Sequence, residues 1–157
     1  MQAIVCVSKE WGIGLDNELL FHISADLRRF RALTTGRTIL LGHRTLLSLP
    51  GGKPLPDRRS IVLTHRAQEI SGVETAASVE EALALAGDDA VVIGGASVYN
   101  AFLPYCDRVF VTLVDAAPEA DAFFPNLSAN PNWRIAEESA PMEENGLTFR
   151  YIDYVRR

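Results

Sequence analysis

Between Ala3 and Val114, short continuous apolar runs recur, separated by stretches whose apolar residues fall at helical spacing. Short continuous runs rich in Val, Ile and Leu, such as Ile39-Leu40-Leu41, Ile61-Val62-Leu63 and Val91-Val92-Ile93, suit strands buried on both faces. Alternation of such strands with helices argues for an α/β domain with a largely parallel sheet. The expected strands are 2–8, 38–42, 60–64, 73–75, 90–93, 108–114, 133–139 and 147–155, and the expected helices 24–34, 43–49, 78–86 and 96–103. The reading is therefore a mostly parallel central sheet of about eight strands, flanked by about four helices and closed by a C-terminal antiparallel hairpin. Glu143-Glu144-Asn145-Gly146 supplies the turn between the last two strands, and the alternation Phe149, Tyr151, Asp153, Val155 suggests an edge strand. Ser78 followed by Glu81 forms a capping box, and Gly87 stops that helix. The segment 9–23, with Gly12 and Gly14, reads as a long loop, a length that compact domains reserve for function or disorder.

The 157 residues are one domain's worth, and 48% hydrophobic content supplies a core without disulfides. Cys6 and Cys106 stand far apart in or beside apolar runs, matching no metal or redox motif and reading as inert thiols. No run reaches the roughly 18 apolar residues of a membrane span, and Met1 leads directly into an apolar strand. A cytoplasmic protein without membrane association is expected, with a monomer as the default.

The net charge of −5 argues against a nucleic-acid partner, yet residues 28–66 hold nine of the fifteen basic residues and one acid, Asp57. A local charge of +8 is either a solvated face or a site for a multiply anionic ligand. On a helix starting near Ser24, with Asp26 at 0°, Leu33 falls at about −20°, Phe30 at about +40° and Leu27 at about +100°. A carboxylate thus sits within an apolar stripe. Position alone allows a first-turn acid favoured by the helix dipole or a group gripping a cationic or amidine-like ligand edge. Three strand ends carry ligand-binding chemistry: Gly94-Gly95 before Ala96, Gly42-His43-Arg44-Thr45, and Thr64-His65-Arg66 after Leu63. Glycine permits close backbone approach, and dinucleotides bind at carboxyl ends of parallel strands.

Assembled in order, Gly12-Ile13-Gly14-x-x-Asn17, Ala25-Asp26-Leu27-x-x-Phe30 with Thr34, Gly42-x-x-Thr45, Pro54-Leu55-Pro56-x-Arg58, Ile93-Gly94-Gly95-x-x-Val98-Tyr99, Phe102-Leu103-Pro104, Thr112 and Asp121-x-x-Phe124-Pro125 resemble dihydrofolate reductase over nearly the whole chain. The resemblance implies that Asp26 holds the 2-amino group and N3 of a pterin, supported by Thr112. It places Ile4, Val5, Cys6, Leu27, Phe30, Leu55, Ile93 and Tyr99 in the substrate pocket, with Arg58 and Lys53 at the glutamate tail. It implies a cis peptide between Gly94 and Gly95, with Ala96, Ser97, Val98 and Tyr99 facing NADPH. Gly42, His43, Arg44 and Thr45 would bind the pyrophosphate, Leu63, Thr64, His65 and Arg66 the adenosine 2′-phosphate, and Ile13, Asn17 and Leu19 would close over the nicotinamide. The implied reaction is hydride transfer to C6 of 7,8-dihydrofolate with protonation at N5, in a pocket that antifolate inhibitors would share.

Some residues depart from the family's usual pattern. Leu20-Phe21 replaces Pro-Trp, leaving Phe21 an aromatic ring at the active site without an indole N–H. Ser24 stands where proline is frequent and can cap the helix instead. Lys53 replaces arginine, Cys6 a smaller residue, and Trp11 is also unusual. A reductase of ribosylated pyrimidines would lack the combination of Asp26, Thr112 and Arg58, and a non-catalytic dinucleotide- or folate-binding module could discard Asp26.

Overall fold

The computed structural model describes residues 1–65 and 70–157. The strands are β1 (Gln2–Val7), β2 (Gly12–Leu15), β3 (Glu18–Leu19), β4 (Thr38–Gly42), β5 (Arg59–Leu63), β6 (Glu74–Ala76), β7 (Val91–Gly94), β8 (Arg108–Val114), β9 (Ala122–Phe123), β10 (Trp133–Glu138), β11 (Met142–Glu144) and β12 (Leu147–Arg156). The helices are α1 (Ser24–Thr34), α2 (His43–Ser48), α3 (Val79–Ala86) and α4 (Ala96–Phe102).

Among the described residues, nine strands form one sheet in the order β10-β12-β8-β1-β7-β4-β5-β6, with β11 also on β12. From β8 to β6 every pairing is parallel, while β12 runs antiparallel to β8, β10 and β11. The α/β expectation therefore holds, with a mixed sheet. Ile39, Leu40, Leu41, Ile61, Val62, Val91 and Val92 are wholly buried, as continuous apolar strands covered on both faces require.

Four sequence expectations need correction. Residues 9–23 are not one loop: β2 and β3 pair with each other, and β2 pairs with β9, making a small antiparallel sheet. Strands of two to four residues carry too little periodicity to read. The alternation in 147–155 does not mark an edge either, because β12 lies between β8 and the pair β10 and β11. Alternation reports one covered face, whereas β12 pairs with β8 along one side and with β10 and the unanticipated β11 along the other. The turn joins β11 to β12 rather than β10 to β12, with Asn145 and Gly146 at φ of 52° and 80°.

Ser78 caps α3 as expected, its Oγ accepting from Glu81 N–H at 3.1 Å, while Glu81 Oε2 reaches one residue further back than a capping box requires and accepts from Ala77 N–H at 3.1 Å. At α1, by contrast, Ser24 is not the cap. Glu144, from β11, accepts the N–H of Ser24 at 2.6 Å and of Ala25 at 3.1 Å, so the orphan donors of the helix start are met across 120 residues of sequence. Trp11, at φ 66°, packs the small sheet to the core, with its ring 6.3 Å from Phe124 and 6.0 Å from Tyr154.

Candidate active site

Asp26 lies in the first turn of α1, above three adjacent strands. Cys6 of β1 pairs in register with Thr112 of β8, which pairs with Tyr151 of β12. These three residues form a row across the sheet, on one face by strand alternation. The Thr112 hydroxyl donates to Asp26 Oδ1, and the Cys6 thiol is a second hydrogen-bond partner of the carboxylate. Burial raises the Asp26 pKa above the usual carboxylate range; Thr112, the charge of Arg29 and Cys6 each oppose that rise. Burial, then the neighbouring Asp26 charge, pushes the Cys6 thiol up as well, so Cys6 is a neutral donor and not a nucleophile.

The carboxylate shares a small concavity with Cys6, Ile13, Leu19, Leu20, Phe21, Ile23 and Leu27. Leu27 of α1 and Leu19 of β3 are 53% and 61% exposed, so Leu27 lines the cleft instead of filling the core. Phe30 is half-buried, and Phe21 packs with Cys6 around Ile23, Val114 and Phe149. Ile4 and Val5 are buried on β1, and the Ile4 carbonyl accepts the Tyr99 hydroxyl at 2.6 Å. Leu55 and Ile93 pack together on Ile39, Leu41, Leu46 and Val62. The segment 12–19 is tied down by Asp121, whose Oδ2 accepts from Asp16 N–H at 3.0 Å. Within it Ile13 is buried, and Asn17 is exposed at φ 64°.

At the other end of the cleft, Arg58 donates from Nε to Thr34 Oγ1 at 3.1 Å and from Nη1 to the Pro56 carbonyl at 2.8 Å. Partial burial and the repulsion of Arg31 lower its pKa, a convergence of cations suited to an anionic ligand. Lys53 is exposed nearby in sequence.

The adjacent strands β7, β4 and β5 end side by side in Gly94-Gly95, Gly42 and Leu63-Thr64. The Gly94-Gly95 peptide is cis, as the resemblance implies. A Cβ on Gly42 would stand 3.1 Å from Val98 Cγ2, and one on Gly95 3.4 Å from Thr45 Oγ1, so these turns crowd together without side chains. Neither Gly42 nor Gly95 caps the helix that follows it with a side chain. Arg44, His65 and Ser97 are exposed; His43, Thr45 and Ala96 are half-buried; Thr64 and Val98 are buried. Arg66 lies outside the described residues.

The whole of this arrangement follows one family pattern: the model of the dihydrofolate reductase family matches residues 1–156. The chain belongs to that family. It is 38% identical over 148 residues to the dihydrofolate reductase of Neisseria meningitidis serogroup A, covering 92% of this chain and 90% of the relative. It is 41% identical over 130 residues to the type 3 dihydrofolate reductase of Salmonella typhimurium, covering 81% of this chain and 78% of the relative. A solved dihydrofolate reductase from Enterococcus faecalis, complexed with NADP(H) and RAB-propyl, superposes with a TM-score of 0.88 at 31% identity, over 99% of this chain and 95% of that one.

Sequence reasoning missed several residues around the family's acid. Glu144 caps its helix, and Arg29 pairs with Asp153 at 3.0 Å. Neither partnership has a local signal, because both span more than 100 residues. The basic segment also resolves further: Arg37 pairs with Asp89 at 3.2 Å, and Arg59 donates two hydrogen bonds to Glu74. These arginines are structural, whereas Arg28 and Arg31 are solvent-exposed.

Proposed function

We propose that this chain reduces 7,8-dihydrofolate to tetrahydrofolate with NADPH, using Asp26 to bind and polarise the pterin. The observation that carries this reading is a half-buried carboxylate lining an apolar cleft, with Thr112 and Cys6 as neutral donors. Such a group has both oxygens aimed at a short list of partners. It suits the adjacent N–H donors of a 2-amino pyrimidinone edge, a bidentate match. Binding the pterin by this edge lays its ring over β1, between Leu27 and Phe30 on one side and Ile4 to Cys6 on the other.

NADPH supplies the hydride that reaches C6 from its nicotinamide. The strand ends suit that cofactor: Gly94-Gly95 allows a flat ring to approach backbone, His43 to Thr45 offer a hydroxyl and a cation to pyrophosphate, and Leu63 to His65, followed in sequence by Arg66, offer a hydroxyl and bases to a 2′-phosphate. Ile13, Asn17 and Leu19 cover the nicotinamide side, held by Asp121, and exclude bulk water from the reacting carbons. Asp26 raises the proton affinity of N5 through the pterin edge it grips. Arg58, with Lys53, takes the glutamate carboxylate. Antifolates compete for the same pocket. A single chain supplies every one of these residues, which supports a monomer as the working unit, and free Cys6 and Cys106 fit a reducing, cytoplasmic setting.

The test is direct. Purified protein mixed with NADPH and dihydrofolate lowers absorbance at 340 nm; oxidation no faster than without enzyme overturns the assignment. Asp26→Asn lowers turnover at neutral pH by about 10²- to 10⁴-fold, the usual worth of a positioned acid or base, and spares NADPH affinity. Turnover equal to wild type in that variant means the acid is another residue.

A further inference from the structure

Arg29 stands three residues beyond Asp26 on α1, a spacing that places both on neighbouring parts of one helix face. Its guanidinium does not reach into solvent. It lies 4.0 Å above the ring centroid of Tyr151 and 5.7 Å from that of Phe110, and its Nη2 donates to Asp153 Oδ1 at 3.0 Å. The other oxygen of Asp153 accepts from Arg108 Nη1 at 3.1 Å.

The register explains this convergence. Tyr151 sits in the row Cys6, Thr112, Tyr151 that underlies Asp26, and Asp153 in the row Ile4, Phe110, Asp153 beside it. Arg29 is therefore laid across the same stretch of sheet that holds the acid. Asp153, whose side chain is 9% exposed, is shared by two guanidiniums and cannot neutralise both. Positive charge from Arg29 is therefore left to act on Asp26, on which it exerts a Coulombic attraction.

We propose that Arg29 is a positioning residue for the pterin site: fixed on Tyr151 and Asp153, it docks α1 on the sheet and serves as the counter-charge of Asp26. This rests on the proposed role of Asp26 and deepens it. The titratable and charged groups acting on the acid are Cys6 from β1, Tyr99 from α4, Tyr151 from β12 and Arg29 on its own helix. Of these, Arg29 alone carries a positive charge. Together with the Thr112 hydrogen bond, it opposes the burial that favours the protonated acid, and so it helps set the pH above which Asp26 is ionised. Around Arg29 itself stand Tyr151, Asp153, Glu137 and Glu138, which line a separate cleft. Glu138 is paired with Arg150 at 3.5 Å.

The experiment compares the full-length wild type with Arg29→Met, Arg29→Lys and Asp153→Asn. The Asp26 carboxyl titration is followed in ligand-free protein by carbon-13 NMR, with the signal assigned by its loss in Asp26→Asn. The pH profile of hydride transfer is measured in parallel. Arg29→Met moves the Asp26 midpoint upward by on the order of one pH unit, the low end of the effect of one nearby opposite charge. Arg29→Lys moves it less, since the charge remains. Asp153→Asn moves it downward, because the surplus positive charge grows. These opposed directions separate an electrostatic role from simple loosening of the helix. The proposal is overturned if Arg29→Met leaves the midpoint at the wild-type value while rates fall equally at all pH values, or if both neutralising variants move it upward. A wild type that oxidises no NADPH with dihydrofolate defeats the proposed reaction, but the carboxyl titration still decides the role of Arg29.

Discussion

Tyr99→Phe removes one oxygen from the centre of the molecule. The Tyr99 hydroxyl donates to the Ile4 carbonyl at 2.6 Å, and the two residues are 5% and 7% exposed. The ring's edge-to-face contact with Phe124, at 4.9 Å between centroids, survives in phenylalanine, so the change isolates the hydrogen bond. What remains is a buried backbone carbonyl deprived of that donor. An acceptor stranded in this way costs about 1–3 kcal/mol. For a domain of this size each kcal/mol moves Tm by about 2–4 °C, so Tm falls by roughly 2–12 °C. Urea unfolding followed by circular dichroism should give a lower midpoint with an unchanged m-value, since the exposed surface on unfolding does not alter. Burial also pushes the phenol's pKa well above its ordinary value, helped by the nearby Cys6 and Asp26. The hydroxyl therefore stays a donor throughout the stable range, and the difference from wild type should not vary between about pH 5 and pH 9. A Tm equal to or above that of wild type would refute the reasoning: it would mean that the Ile4 carbonyl finds another donor or needs none.

Further tests address the helix cap and the cofactor. Glu144 is held below the usual carboxylate range by the Ser24 and Ala25 N–H groups it accepts. A depressed carboxylate contributes stability above its unfolded pKa and loses it as pH falls through the folded value. Glu144→Ala should thus lower Tm at pH 7, with the difference vanishing in acid, and thermal melts across pH check both parts. Replacing His65 and Arg66 together with alanine should weaken NADPH by about 10- to 100-fold, the worth of lost charge-assisted hydrogen bonds, and leave NADH nearly unchanged. Equal losses for the two cofactors, measured by fluorescence titration, would remove the 2′-phosphate assignment.

The parallel strands were legible because burial on both faces writes continuous runs such as Ile39-Leu40-Leu41 into the chain. The first acid of α1 was legible because a carboxylate among Leu27, Phe30 and Leu33 violates the apolar pattern. Strands β2, β3, β9 and β11 were not, since two to four residues hold too little periodicity to separate a strand from a turn. The centrality of β12 was misread for a related reason: a period of two reveals which face is covered and nothing about how many neighbours a strand has. Ser24 looked like a cap because caps are usually local. Here a hairpin more than 100 residues away places Glu144 at the helix start.

What the sequence determined alone was the order of the helices and of the strands of the main sheet other than β11, the glycine-bearing strand ends and the residue types of the site, since each is written in neighbours a few positions apart. The tertiary structure decided what surrounds Asp26. Strand register set Thr112 and Cys6 against it and brought Tyr151 and Asp153 beneath Arg29. Such partners meet only when the sheet is assembled, because hydrogen bonds and Coulomb forces act over a few ångströms of space, whatever the distance along the chain.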